Sequence, residues 1–430
     1  MSCMAVKKNK QFDSDNNWAR TILLVLLYFF FLYPFQVPGL PFGTVIPVLV
    51  ILTTYVVFSF IKGKKLERTR TSKSVRKYWT WNIFLLLYVS FLLQFWGSGD
   101  GYSPLKDYLQ MLIILPIFFI SGYFLFENYE QLLKILYIGA IIQSLIVIFG
   151  LFSPRITIGL TLLLPQGTLS ELYGGYEEAI AGGYKVGLGV FTSAGSLRMA
   201  IGQIGACSYL IKSRGVKLFF HSLVFILITI STSVISRTGL LVSVIGLLIV
   251  FFVKLRQGGQ RVGGFVFIML FLSVLGLLVV NSLFTTSFLE DTFKRLIVTA
   301  EVGIHDTYFR GYLGEGGDNT IPPISPETII GLGITKGVSG SGITTITDGG
   351  FMRNYSAMGL IVALINYYII TIIFLRQFKL SRLIENKGII IFMFIIFLIG
   401  EFKEYYIYYI SPMCFFFLLL NFIERSENKS

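Results

Sequence analysis

Residues 231–252 read STSVISRTGLLVSVIGLLIVFF, a run of membrane-grade apolar residues that Arg237 interrupts. A guanidinium stays ionised in a protein, and placing one at the centre of a bilayer costs roughly 3 kcal/mol on insertion scales. Apolar residues continue on both sides of the S-R-T-G turn that carries Arg237. This stretch therefore predicts two membrane helices that form a hairpin, with the arginine at the wet end of the hairpin.

The whole sequence shares this character. Of its 430 residues 54% are hydrophobic and only 14% are charged, against about a quarter charged in a soluble domain. Apolar segments long enough to cross, or nearly cross, a bilayer recur along its length. The composition predicts an all-α integral membrane protein with about 12 transmembrane helices. The predicted spans are 20–35, 42–61, 79–96, 108–126, 135–152, 197–211, 218–233, 238–253, 264–284, 355–375, 388–400 and 405–423.

The distribution of charge orients these spans. Twelve spans leave both termini on one side, and that side holds 25 of the 36 basic residues but only 8 of the 23 acidic ones. An excess of Lys and Arg marks the cytoplasmic side. We therefore expect both termini in the cytoplasm, and we attribute the net charge of +13 to membrane orientation rather than to nucleic-acid binding.

The spans divide the chain into five parts, among which a large extracytoplasmic loop separates spans nine and ten. That loop contains a predicted leading helix and a hairpin-like segment rich in Gly, Ser and Thr. The first span is interpreted as a retained helix, because no small-residue cleavage site follows it. The parts are a cytoplasmic tail 1–17, spans one to nine 18–284 with an outer loop 153–196, the large loop 285–354, spans ten to twelve 355–423 and a cytoplasmic tail 424–430.

Several cations lie on the predicted outer side at one membrane depth. Guanidinium groups bind phosphate oxygens bidentately, so the set fits a lipid-borne anion. Each cation taken alone fits equally well with ordinary phospholipid headgroups or with pairing to loop carboxylates. For Arg237 the tight turn favours the binding role. The candidate anion-binding residues are Arg237, Arg198, Lys185, Arg295, Arg353 and Arg310.

Two outer residues are candidates for proton transfer. Asp348 directly precedes an apolar helix and fits either a helix N-cap or a catalytic carboxylate. His305 is the one outer histidine and could act as a base near neutral pH, although a lone loop histidine commonly has no chemical role. The outer segments contain no DxD, HExxH or CxxC pattern, and no phosphate-binding loop of the Walker type occurs. We therefore predict no metal and no cofactor.

The order of four motifs resembles the O-antigen and capsular polysaccharide repeat-unit polymerases (Wzy type) of the O-antigen polymerase and ligase superfamily. The motifs are SRTGLL at 236–241, a large outer loop with a leading helix, IIGLGI at 329–334, and DGGFMRNYSAMGLI at 348–361. The resemblance implies a GT-C-like architecture in the bacterial plasma (inner) membrane. It implies a metal-independent glycosyltransferase of lipopolysaccharide or capsule synthesis, which acts on undecaprenyl-diphosphate-linked oligosaccharides outside the cytoplasm. The resemblance also implies membrane lipids and a chain-length regulator as partners.

The resemblance also gives roles to the candidate residues. The outer cations would stabilise the departing lipid diphosphate, and Asp348 would accept the proton of the attacking hydroxyl. Related ligases have a histidine at the comparable place, so Asp348 favours a polymerase over an O-antigen ligase. The arginine of the family's first outer loop corresponds to either Lys185 or Arg198. A peptidoglycan polymerase of similar architecture and a lipid-linked oligosaccharide flippase remain alternatives.

Overall fold

The computed structural model describes residues 18–36, 43–67, 69–97, 99–163, 188, 193–258, 263–266, 268–269, 324–345 and 349–429. The first half forms helices α1 Trp18–Leu32, α2 Val45–Ile61, α3 Arg70–Trp96, α4 Leu105–Leu125, α5 Tyr129–Phe152 and α6 Pro154–Thr161. The second half forms α7 Ser193–Lys212, α8 Gly215–Ile235, α9 Arg237–Arg256, the short α10 Pro326–Ile330, α11 Gly350–Leu380, α12 Ile384–Lys403 and α13 Ile410–Lys429. A hairpin pairs β1 Gly337–Val338 with β2 Thr344–Thr345, and a 3-10 turn Tyr406–Tyr408 precedes α13.

Six of the described helices are long and apolar enough to cross a membrane, namely α3, α4, α5, α8, α9 and α11. Two further apolar helices, α1 and α2, are shorter. This confirms the class of an all-α membrane protein. The count of 12 spans and the large loop stay predictions, because most of both outer loops and of span 264–284 lies outside the described residues.

The last helix, α13, is the centre of the bundle. Every residue from Met413 to Leu420 has 0% of its surface exposed. A helix that is apolar all round is stable only when it is covered on all sides. The outer surface of the bundle is also apolar. Leu87 on α3 and Ile361 on α11, for example, are 65% and 60% exposed. This arrangement, a covered helix inside a ring with exposed apolar faces, suits a bundle surrounded by lipid.

One end of the bundle, which we call the Glu427 end, gathers ion pairs and helix caps. Arg20 at the start of α1 pairs with Glu127 between α4 and α5. The carboxylate of Glu427 near the end of α13 accepts hydrogen bonds from the Arg382 amide at 2.8 Å and the Asn386 side chain at 2.6 Å. These bonds connect the residue before the N-cap of α12 and the first turn of that helix to the end of α13. Anions at a helix N-terminus also interact favourably with its dipole.

The opposite end, which we call the Tyr406 end, joins the starts of α7 and α11 to the end of α12. The Tyr406 hydroxyl donates to the carbonyl of Leu197 at 3.3 Å. Gly350, the first residue of α11, packs directly against the side chain of Glu401 on α12. Because α11 and α12 are consecutive and antiparallel, these contacts place all three helix termini at the Tyr406 end of the bundle.

Helix α11 is broken at Gly359, where the sequence predicts an uninterrupted span. Gly359 has φ +78° and ψ 165°, a conformation that L-residues with side chains rarely adopt. The carbonyls of Ser356 and Ala357 accept instead from the amides of Leu332 at 2.7 Å and Gly333 at 3.1 Å. The IIGLGI turn therefore supplies the backbone hydrogen bonds that the break removes, as a broken helix inside a membrane requires.

The predicted span 405–423 also differs from the structure, because α13 begins only at Ile410. A helix running through residues 405–423 would place Pro412 in its interior, against the carbonyl of Tyr408. In the structure Pro412 lies in the first turn of α13, where its missing amide costs nothing. Residues 405–409 are thereby free to form the irregular segment that surrounds the candidate site.

Candidate functional site

The site is built around a buried carboxylate. Glu401 lies in the last turn of α12 and has 0% of its surface exposed. An ionisable side chain inside a membrane bundle is expensive and is commonly functional. We call the following side chains the Glu401 site: Arg198, Asn354, Tyr367, Glu401, Glu404 and Tyr409.

Three donors hold the Glu401 carboxylate. Oε1 accepts from the Asn354 amide nitrogen at 3.2 Å and from the Tyr367 hydroxyl at 3.0 Å. Oε2 accepts from the backbone amide of Ile407 at 2.9 Å. Arg353 also lies near enough to interact favourably with this carboxylate. Without such partners, a buried carboxylate would cost several kcal/mol, on the order of its effective desolvation penalty.

Arg198 lies on the other side of the irregular segment, one turn into α7. Its guanidinium lies 6.0 Å from the centre of the Tyr409 ring, and the Tyr409 hydroxyl donates to Oε2 of Glu404 at 3.0 Å. The Nε of Arg198 is buried and has no hydrogen-bond partner among the described residues. Buried donors normally have partners, so this nitrogen is a candidate donor to a bound anion.

Tyr406 connects the two halves of the Glu401 site. Its ring packs against Gly400, while its hydroxyl reaches the α7 carbonyl of Leu197, next to Arg198. The site therefore brings a guanidinium, whose Nε lacks a partner among the described residues, and two carboxylates to one end of the bundle. Such a set can hold a phosphate-like anion and can accept or orient a proton of a bound hydroxyl.

The structure places three of the sequence-predicted cations at this end. Arg198 belongs to the Glu401 site, and Arg353 is one turn into α11. Arg237 is the first residue of α9, and the structure describes its backbone. Gly239 on α9 packs against the methyl group and carbonyl of Thr232 on α8. The hydroxyl of Thr232 lies 3.9 Å from the sulfur of Met199. The start of α9 is thus close to Arg198.

The remaining candidates lie outside the described residues, and their roles stay predictions. They are Asp348, His305, Lys185, Arg295 and Arg310. In the described ranges, no group of three or more His, Cys, Asp or Glu side chains could hold a metal ion. The absence of a metal or cofactor therefore also stays a prediction.

Sequence reasoning missed Glu401, Glu404 and their partners. The division into spans 388–400 and 405–423 left residues 401–404 in a short loop, where charges look solvated. The available signal was the stretch FLIGEFKEYYIYYISP at 397–412, which places two carboxylates and four tyrosines inside an apolar region. Such carboxylates are candidates for a functional site on that ground alone.

Comparisons with the models of known protein families, with curated proteins and with solved structures find no match for this chain. The fold and the site nevertheless define a class. The chain is a polytopic helical membrane protein with a buried carboxylate and guanidinium site at one end of its bundle.

Proposed function

We propose that the chain is a polysaccharide polymerase of the Wzy type in the bacterial plasma membrane. It transfers a growing glycan from undecaprenyl diphosphate to another lipid-linked oligosaccharide repeat unit on the outer side. The observation that carries the proposal is the buried Nε of Arg198, which lacks a described partner, at the same bundle end as Glu401 and Glu404. A guanidinium and carboxylates near a membrane face match a reaction that releases a lipid diphosphate from a sugar.

In the proposed reaction, the hydroxyl oxygen of the acceptor sugar forms a bond to the anomeric carbon of the donor. The bond from that carbon to the diphosphate oxygen breaks, and the diphosphate leaves with the electron pair. The transition state has positive charge on the sugar and negative charge on the leaving group. Arg198, with Arg237 and Arg353 at the same end, would stabilise the diphosphate electrostatically.

The proton of the attacking hydroxyl needs an acceptor. Glu401 is already held by three donors, so we assign it a positioning role for the segment around Ile407. Asp348 is the base predicted from the sequence, and Glu404 is a carboxylate that the described structure offers nearby. Loss of activity in Asp348→Asn but not in Glu404→Gln would identify the former as the acceptor, and the reverse would identify the latter.

The orientation of the bundle can be tested separately. The distribution of basic residues predicts that the Glu427 end faces the cytoplasm and the Tyr406 end faces outward. In a variant with Cys3, Cys207 and Cys414 replaced by serine, Tyr102→Cys should react with a membrane-impermeant thiol reagent added to whole cells. Lys65→Cys should react only after lysis. The opposite labelling pattern would put the Glu401 site on the cytoplasmic side and would contradict the proposed function.

The activity test reconstitutes the purified protein with lipid-diphosphate-linked repeat units and separates the products on a gel. A ladder of products supports a polymerase. Transfer of one finished chain to a different acceptor would indicate a ligase, and lipid movement across the bilayer without a new bond would indicate a flippase. Each of these two outcomes overturns the proposal.

Arginine variants test the proposed binding of diphosphate. Lysine keeps the charge but loses the planar fork. A lost charge-assisted hydrogen bond is worth roughly 1.5–3 kcal/mol, or about 10- to 100-fold in rate. We expect that reduction for Arg198→Lys and Arg237→Lys, normalised to membrane-inserted protein. Arg382→Lys at the Glu427 end is the control and should match the wild type. Equal rates for all three variants would mean that Arg198 and Arg237 have structural roles and would contradict the proposed binding.

A further inference from the structure

A second cleft lies between α3 and α4, on the outside of the bundle and toward the Glu427 end. It has a volume of about 460 Å³, within the range of roughly 300–1,000 Å³ that is usual for ligand pockets. Its wall is apolar and is formed by α3 and α4 side chains, among them Val75, Trp79, Leu115, Pro116 and Phe119. This cleft is remote from the Glu401 site and has no role in the reaction proposed above.

Pro116 gives the cleft its shape. A proline in a helix has no amide hydrogen, so the carbonyl four residues earlier loses its helical partner. The indole Nε1 of Trp79 donates to that carbonyl, the oxygen of Leu112, at 2.8 Å. The tryptophan thus spans the gap between the two helices and forms one wall of a stable cleft. On the same face of α4, Ile113 and Leu109 are 51% and 50% exposed, so the cleft opens onto the lipid-facing side.

The rim of the cleft is cationic. Lys73 and Arg76 line it, both are exposed, and neither side chain has an ion pair or hydrogen bond among the described residues. Glu67 also lines the cleft, but its carboxylate pairs with Arg425 at 3.3 Å. An apolar cleft open to lipid, with two uncompensated cations at its rim, is complementary to a molecule with an anionic head and a hydrocarbon chain.

We propose that this cleft binds one anionic phospholipid, with its phosphate between Lys73 and Arg76 and one acyl chain lying along Pro116. The cationic rim recognises the headgroup, and the wall of Leu115 and Phe119 covers the chain. The Glu427 end is the cytoplasmic end by the distribution of basic residues, and the cytoplasmic leaflet is where basic side chains meet anionic lipids.

The test measures retention of added phosphatidylglycerol and phosphatidylcholine by the delipidated protein, using native mass spectrometry. The wild type should retain one phosphatidylglycerol in preference to phosphatidylcholine. Each cation near a membrane surface strengthens the binding of an anionic lipid about fivefold. The double variant Lys73→Gln/Arg76→Gln should therefore retain phosphatidylglycerol about 25-fold more weakly. The control is Arg376→Gln/Lys379→Gln, which should behave as the wild type. These two residues are exposed, have the same spacing in sequence, and lie where α11 reaches the Glu427 end. Equal losses in both double variants would reduce the effect to general surface charge and overturn the proposal.

A second pair of variants tests the acyl chain separately. Ile120→Trp fills the cleft and leaves both cations in place, so it should also weaken retention. Ile113→Trp, on the same helix but outside the cleft, should not. Wild-type retention by Ile120→Trp, or displacement of the lipid by excess inorganic phosphate, would show that only the charges bind and would overturn the proposed lipid site.

Discussion

Gly350 lies directly against the carboxylate of Glu401, so that a methyl group at position 350 would overlap Oε1. The first residue of α11 thereby determines how closely α12 can bring its buried carboxylate to Asn354 and Tyr367. No other residue type fits this position without moving one of the two helices.

The close approach predicts that Gly350→Ala destabilises the protein by about 1–3 kcal/mol, the usual cost of overpacking. Because the displaced group is the Glu401 carboxylate, polymer formation should fall as well. Thermal unfolding in detergent and the product ladder measure the two effects. Gly159→Ala is the control, since nothing lies within 4 Å of that added methyl group. A variant at 350 as stable and active as the control would contradict the proposed packing.

The break in α11 predicts a larger effect at Gly359. An alanine there has to adopt φ +78° and ψ 165°, a region that is almost exclusive to glycine and costs roughly 1–3 kcal/mol. Its Cβ would also overlap the carbonyls of Ile329 and Ile330. We expect Gly359→Ala to lower the free energy of unfolding by about 2–4 kcal/mol. Gly342→Ala separates the two causes, because Gly342 has φ +82° but open space around it. Equal losses at both positions would show that the contact with α10 adds nothing.

The bond between Trp79 and the Leu112 carbonyl predicts a measurable coupling with Pro116. Trp79→Phe leaves a part-buried carbonyl without its donor and should cost about 1–3 kcal/mol. In a Pro116→Ala background, the new amide at 116 can bond the same carbonyl, so the loss from Trp79→Phe should shrink by about 1 kcal/mol. A double-mutant cycle on unfolding free energies measures this difference. Strict additivity of the two substitutions would rule out the exchange of donors.

Glu427 predicts a dependence of stability on acid. Burial opposes its ionisation, but hydrogen bonds from Ser381, Asn386 and the Arg382 and Leu383 amides outweigh it and hold its pKa below the ordinary 4.5. The charged carboxylate therefore contributes stability above pH 4.5, and that contribution disappears as the pH falls through the lower folded-state pKa. Since the group is half-buried, we expect about 1 kcal/mol.

The measurement is the unfolding temperature of wild type and Glu427→Gln between neutral and acidic pH. The difference between the two proteins should be largest at neutral pH and should vanish in acid. Glu130→Gln is the matched control, because Glu130 is an exposed carboxylate at the same end that pairs with Lys212. A difference that persists unchanged into acid would mean that Glu427 stabilises α12 through its shape rather than its charge.

The amino-acid sequence by itself determined the class of protein and the placement of its charges. Apolar segments partition into a membrane one by one, so composition and length predict helices such as α8 and α9 without knowledge of their neighbours. The ends of those helices that face water are predicted in the same way, from the charged residues at which each apolar segment stops. This is why Arg198 and Arg353 could be assigned to one end of the bundle before any contact was known.

Only the tertiary structure decided how the Glu401 site is assembled. Glu401 depends on Asn354 and Tyr367, which lie 47 and 34 residues earlier in the chain, and on the amide of Ile407 in an irregular segment. The break at Gly359 likewise exists because the IIGLGI turn supplies the hydrogen bonds that the helix gives up. Hydrogen bonds between distant residues depend on how helices pack, and helix packing cannot be read from the apolar pattern of a single segment.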